Sequence, residues 1–247
     1  MNNQNPSIYG IGNPLIDIVI FVTDENLKSL EIEKGVMHLV DENRQTEILS
    51  YFKDYELKYF PGGSAPNTML ACAGLGIPTL IAGKIGQDDF GEIYIRQAEK
   101  YGVISGLVQG DGATGSSIIL VTPDGERTMN TYLGMCREFS ENDVDEAKLA
   151  QSKFFYFTGY MWDTESQKAA IQKAILISKD NDVQVVFDVA DPFAVDRNKD
   201  QFLKMIEQDV DLVFANHAEI GILFDSTNVE VSTDELMKIV NRAGIKL

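Results

Sequence analysis

The sequence predicts an α/β fold: a parallel β-sheet flanked by helices, with a small β appendage beside it. From residue 79 onward, short continuous apolar runs mostly alternate with helix-patterned segments, as expected of βα units whose strands are covered on both faces. The runs between 15 and 60 and between 116 and 134 break that alternation, which assigns them to the appendage. Of the 247 residues, 44% are apolar, enough for a sizeable core.

The elements follow in order. "SIYGIG" and "LIDIVIFV" read as strands broken near Asn13-Pro14. "TDENLKSLEI" is a short surface helix capped by Thr23 or Asp24. "APNTMLACAGLG" is helical, with Gly74 or Gly76 ending it. "TLIAGKIG" is a strand, and "FGEIYIRQAEKYG" a helix stopped by Gly102. "SSIILVTPDGERTMNTYLG" holds two strand-like runs joined at Pro123-Asp124-Gly125, the clearest hairpin in the chain. Beyond it, "FFYFTGY", "VQVVFDVAD" and "VDLVFAN" are strands. They alternate with the helices "TESQKAAIQKAILISKDN", "RNKDQFLKMIEQ", "AEIGILFD" and "STDELMKIVNRAG". Gly244 is expected to cap the last helix, and "IKL" to begin another strand. A fold rarely stops there, so the chain is expected to be cut short of its natural end.

The balance of 21 basic and 38 acidic residues gives a formal charge of −17. That argues against nucleic acid or an anionic membrane as the main partner, but not against a phosphate ligand, which backbone N–H groups can hold. The two cysteines, Cys72 and Cys136, have no pair or metal spacing, which suits a reduced, cytoplasmic setting. "MNNQNPS" lacks the basic start and apolar run of a signal peptide, and no apolar stretch is long enough to span a bilayer. Neither His38 nor His217 sits in a metal-ligand spacing.

Three places invite a ligand. Asp17 is a carboxylate in an otherwise apolar strand, so it needs a partner unless it lies on a wet edge; its natural role is to accept hydrogen bonds from ligand hydroxyls. Gly62 and Gly63 let backbone approach a ligand closely. Ser64 can cap the helix that follows, Pro66 fits its first turn, and Asn67 can point back toward the glycines. The same residues also suit a plain turn before a capped helix. Asn216 and Glu219 in "NHAE" form a capping box on one reading, and hold a hydrated metal and nucleotide phosphates on the other.

Two tempting motifs fail. "GIGNPL" carries Leu15 where a dinucleotide fingerprint needs its third glycine, and "GGSAP" carries Pro66 where a nucleophile elbow needs glycine. Nothing places a histidine beside Ser64. Cys136 reads as a semi-buried filler.

Taken in order, "GNPLID", "PGGSAPNTMLACAGLG", "AGKIGQDDFG", "TGSSIILVTPDGERTMN", "DVADPF" and "DLVFANHAE" resemble the ribokinase/PfkB family of sugar and nucleoside kinases over essentially the whole chain. "GNPLID" is most similar to the adenosine kinase branch. The resemblance implies one ribokinase-like domain over 1–247, incomplete at its C-terminus, with lid elements within about 18–62 and 113–135. It implies ATP, Mg²⁺ and a small nucleoside or sugar whose primary hydroxyl is phosphorylated. Asp17 matches the aspartate that holds the sugar hydroxyls, Gly62, Gly63 and Asn67 the substrate loop, and Asn13 a further contact. Leu39 and Leu133 fall where lid residues cover the ligand, and Met161 and Phe193 where side chains pack on a base. Asn216 and Glu219 match an N-x-x-E motif acting on phosphate and, through water, on Mg²⁺. The family's second signature, a G-A-G-D run with the catalytic aspartate, is absent and would lie beyond Leu247. On that ground the chain alone is expected to be inactive. The alternatives are a ribose- or fructose-type sugar kinase, a non-catalytic nucleoside- or sugar-binding protein, and, disfavoured by the failed fingerprint, a dinucleotide-dependent oxidoreductase.

Overall fold

A computed structural model describes residues 5–246; residues 1–4 and the expected strand residue Leu247 lie outside the described residues. Among the described residues, seven strands form an all-parallel sheet: β1 (Ile8–Ile11), β5 (Thr79–Gly86), β6 (Ile104–Gly110), β9 (Phe154–Thr158), β10 (Gln184–Asp188), β11 (Leu212–Asn216) and β12 (Ala243–Lys246). Their order across the sheet is β12-β11-β10-β9-β1-β5-β6. The other five make a second sheet in the order β3-β8-β7-β2-β4: β2 (Leu15–Phe21), β3 (Met37–Leu39), β4 (Lys58–Gly62), β7 (Ser116–Val121) and β8 (Arg127–Tyr132). The helices are α1 (Asp24–Ser29), α2 (Glu42–Tyr51), α3 (Ser64–Gly74), α4 (Asp89–Lys100), α5 (Glu146–Ala150), α6 (Glu165–Asp180), α7 (Pro192–Asp209), α8 (His217–Leu223) and α9 (Val229–Ile239).

The parallel strands are apolar on both faces because both are covered. On one face Phe155, Phe157 and Phe187 stack with successive centroids 5.1 Å apart, and Phe202 of α7 meets Phe187 edge-on. All four are fully buried, each contributing about 1.5–3 kcal/mol by burial. On the other face Ala65 and Met69 of α3 pack over Ile81 and Tyr156. In the second sheet the pleat divides β2. Ile16, Ile18 and Ile20 are fully buried against Leu27, Ile48, Phe52 and Tyr94 of α1, α2, the turn after α2, and α4. Asp17, Val19 and Phe21 face the other way.

Some expectations need correction. Gly244 does not cap a helix: α9 ends at Ile239, and Gly244 pairs with Phe214 inside β12. Ser64 is not the N-cap of α3. Gly63 is, with no side-chain cap bond, because the chain turns there at φ +99°, a conformation glycine accepts and serine does not. Cys136 is fully buried, its thiol donating to the Pro14 carbonyl at 3.1 Å. The helix α2 and the strand β6 carry no clear periodic signal in the sequence.

Candidate active site

The chain crosses between the two sheets at Gly12-Asn13-Pro14 and again at Gly62-Gly63, and these crossings meet. A Cβ on Gly63 would lie 2.0 Å from the Asn13 carbonyl oxygen, and one on Gly62 would lie 2.3 Å from Asp17 Oδ1. The glycines are therefore required by contact: Asp17 rests its carboxylate on the bare backbone of Gly62.

Asp17 accepts no hydrogen bond from any described residue. Burial pushes its carboxyl up to about 6, with Arg127 pulling the other way. A partly buried acceptor without a donor suits ligand hydroxyls. Its strand, β2, lies between β7 and β4, so the wet-edge alternative falls.

Register extends the site sideways. Asp17 pairs with Phe60 on β4 and Ser117 on β7; Ser117 pairs with Thr131 on β8, and Thr131 with Leu39 on β3. Partners across a sheet share a face, so Phe60, Asp17, Ser117, Thr131 and Leu39 form one row. The Ser117 and Thr131 hydroxyls bond to each other at 2.8 Å. At strand spacings of roughly 4.8 Å, Leu39 stands roughly 14 Å from Asp17. Leu39 and Leu133 line a cleft of about 560 Å³ with Thr131, Tyr132, Arg137 and Thr164.

The other candidates are placed as follows. Asn13 is nearly buried, its Oδ1 accepting from Gln167 Nε2 of α6 at 2.8 Å. Asn67 is exposed on the first turn of α3 and makes no side-chain hydrogen bond among the described residues. Met161 is fully enclosed in the main core, and Phe193 is 77% exposed at the start of α7. Neither lines the cleft that holds Leu39 and Leu133.

Asn216 and Glu219 form a complete capping box. Asn216 Oδ1 accepts from the Ala218 and Glu219 amides at 2.9 and 3.0 Å. Glu219 accepts from the Asn216 amide and Nδ2, both at 2.7 Å. Burial pushes the Glu219 carboxyl up, and nearby Asp188 and Asp191 push it the same way. Both carboxylate oxygens are engaged and Glu219 is 3% exposed, so direct metal coordination does not fit. No group of three His, Cys, Asp or Glu among the described residues is placed to hold a metal ion.

Reading the sequence missed Gln167 and a hydrogen-bond chain from α3 to the C-terminal end of β10: Thr68 Oγ1 lies 3.2 Å from the Tyr156 hydroxyl, which donates to Asp188 at 2.9 Å. Neither Gln167 nor Tyr156 has a sequence signal, since a buried glutamine in a helix and a tyrosine in a strand both read as scaffold.

Known proteins resemble the chain as follows. The pfkB family carbohydrate kinase description matches residues 40–247. An adenosine kinase of Saccharomyces cerevisiae is 28% identical over 242 residues, 94% of this chain and 70% of the relative. A 5-dehydro-2-deoxygluconokinase of Clostridium botulinum is 24% identical over 205 residues, 79% of this chain and 59% of the relative. The crystal structure of adenosine kinase from Sinorhizobium meliloti superposes with a TM-score of 0.87 at 33% identity, covering 99% of this chain and 75% of that one. The parallel sheet flanked by helices is thus the ribokinase-like fold of these kinases, and the chain belongs to the pfkB carbohydrate kinase family.

Proposed function

We propose that this chain binds the phosphoryl acceptor in an ATP-dependent kinase acting on the primary hydroxyl of a nucleoside, adenosine first among them. The observation that carries the reading is the row across the second sheet, with an unpartnered carboxylate at Asp17 and an apolar side chain, Leu39, roughly 14 Å away. A bare furanose satisfies the carboxylate and leaves Leu39 uncovered; a nucleoside reaches toward both. Adenosine kinases among the relatives support the same choice.

In this reading Asp17 accepts the sugar hydroxyls, and Gly62 and Gly63 admit the sugar against bare backbone. Asn13 and Asn67 add hydrogen bonds. Leu39 and Leu133 cover the base, Met161 backs the pocket from the core, and exposed Phe193 is available to pack on the ring. The second sheet, with its strands in the 18–62 and 113–135 regions, acts as a lid that excludes water from the transfer.

ATP and Mg²⁺ rest on family membership; Mg²⁺ would neutralise charge on the transferring phosphoryl group. Asn216 and Glu219 lie at the strand ends, where a hydrated ion could be met only through water. Two free cysteines suit a cytoplasmic setting.

A sugar acceptor is the second reading, favoured by the 61% exposure of Leu39 and by the gluconokinase relative. Titrating adenosine, ribose and fructose into the chain by calorimetry, with product formation followed under ATP and Mg²⁺, separates these. Tighter binding of adenosine supports the nucleoside reading, and tighter binding of a sugar the second. Binding without turnover is expected of a chain that lacks the G-A-G-D run and does not separate a kinase from a non-catalytic binding protein, whereas turnover excludes the latter. Binding of none of the three sinks the proposal.

A further inference from the structure

Asn13 can serve the site only if its carboxamide faces the right way. One end of that group donates, the other accepts, and the two ends are nearly isosteric. The direction is settled two residues away, at the short 3-10 turn Gly134–Glu138 that follows β8. The Cys136 carbonyl in that turn is a backbone oxygen and can only accept. It lies 2.9 Å from the Gln167 side-chain nitrogen, so the Gln167 NH₂ must face it. The second N–H of that NH₂ reaches Asn13 Oδ1 at 2.8 Å. Gln167 Oε1 is 3.3 Å from the Thr164 hydroxyl, whose single proton it shares with the Arg137 carbonyl at 3.1 Å. Gln167 is 1% exposed, so no water is at hand to replace these bonds.

With its oxygen committed to Gln167, Asn13 is left with Nδ2, which has no hydrogen-bond partner among the described residues. We propose that Gln167 is a positioning residue that fixes the Asn13 carboxamide with its NH₂ toward the ligand, using the Cys136 carbonyl as reference. The site then offers a donor at Asn13 and an acceptor at Asp17, so ligand hydroxyls can give a proton to Asp17 and accept from Asn13. The same relay ties the orientation to the exit from the second sheet, because the Cys136 thiol also bonds to the Pro14 carbonyl next to Asn13. This inference rests on the reading that Asn13 touches substrate.

The test uses the whole chain and adenosine, ribose and fructose, with affinity by calorimetry for whichever the unaltered chain binds most tightly. Gln167→Glu replaces the donor with acceptors. Asn13 must then turn its NH₂ toward residue 167 and its oxygen toward the ligand. Affinity is expected to fall about tenfold or more, the size of one lost hydrogen bond, and Asn13→Ala to do the same. In the Asn13→Ala background Gln167→Glu is expected to change affinity no further. Gln167→Met, similar in shape and without N–H groups, serves if the glutamate variant does not fold. Undiminished affinity in the folded Gln167 variants while Asn13→Ala weakens binding overturns the positioning role and leaves the Asn13 contact standing. Equal losses in both backgrounds also overturn it, marking Gln167 as scaffold. If Asn13→Ala binds normally, or none of the three compounds binds, the underlying reading fails and the proposal with it.

Discussion

Asp17→Asn is expected to make the protein more stable and unable to bind its ligand. The wild-type carboxyl titrates at about 6 against 3.8 for an unperturbed aspartate, chiefly through burial. A folded-state pKa above the unfolded value means that the folded chain holds the proton more tightly. Asp17 therefore contributes most to stability below pH 3.8, and that contribution is lost as pH rises through about 6. At about 1.4 kcal/mol per pKa unit the loss is about 3 kcal/mol, or about 2–3 after allowing for partial exposure. Asparagine keeps the shape and carries no charge to bury. Unfolding by urea at a series of pH values should find the two proteins nearly equal at pH 4. At pH 8 the variant should lead by about 2–3 kcal/mol, corresponding to roughly 5–10 °C in Tm for a chain of this size. Adenosine should bind the wild type and not the variant. A stability difference that is flat across this range, or a variant weaker at pH 8, would refute the claim that Asp17 is held ionised against its surroundings.

The two glycines should separate function from stability. Gly62→Ala puts a Cβ 2.3 Å from Asp17 Oδ1 and must displace the carboxylate, so affinity should drop about tenfold or more with little change in Tm. Gly63→Ala meets the Asn13 backbone 2.0 Å away at φ +99° and should cost about 1–3 kcal/mol in urea unfolding. Opposite outcomes would mean that the two positions have been assigned each other's roles. Glu219→Gln should cost about 1 kcal/mol at pH 8 by weakening the capping box, with ligand affinity unchanged. Met161→Ala, in the core, should cost about 2–5 kcal/mol. Phe193→Ala should change stability by less than about 0.5 kcal/mol, so lost adenosine affinity in that variant reports contact with the base.

The fold was largely legible because covered parallel strands write continuous apolar runs, and "TPDGE" writes a turn. What escaped had weak local signals. In α2 only Gln45 and Ile48 are buried, so no apolar stripe forms. The strand β6 lies at a sheet edge and carries two glycines, Gly106 and Gly110. Gly244 resembles a helix stop locally, and its pairing with Phe214 is a tertiary fact. At the candidate site, the suspicion about Asp17 followed from burial chemistry alone. Gln167 could not be found that way, because its role depends on Asn13 and Cys136, 154 and 31 residues away in sequence.

Two stretches were candidate ligand sites in the sequence, "PGGSAPNT" and "NHAE", and hydrogen-bond accounting separates them. Around the first, capacity is left open: Asp17 accepts from nothing in the described chain, Asn13 keeps a free NH₂, and Asn67 is exposed. Around the second, capacity is consumed: Asn216 and Glu219 share three bonds of 2.7–3.0 Å, and Asn216 takes a fourth from the Ala218 amide at 2.9 Å. Open groups near a burial boundary cost stability, and a folded chain keeps them only where something else completes them. Asp17 bears that cost above pH 6 in the absence of ligand. A hydroxyl donating to it strengthens as the carboxylate ionises, so ligand affinity should rise with pH through the same interval in which the free protein loses stability. Glu219 has no such opening. For it to meet a hydrated ion, the cap must loosen or the ion's water must use the remaining lone pairs. Hydrogen-bonding capacity is thus open around Asp17 and Asn13 and consumed around Glu219.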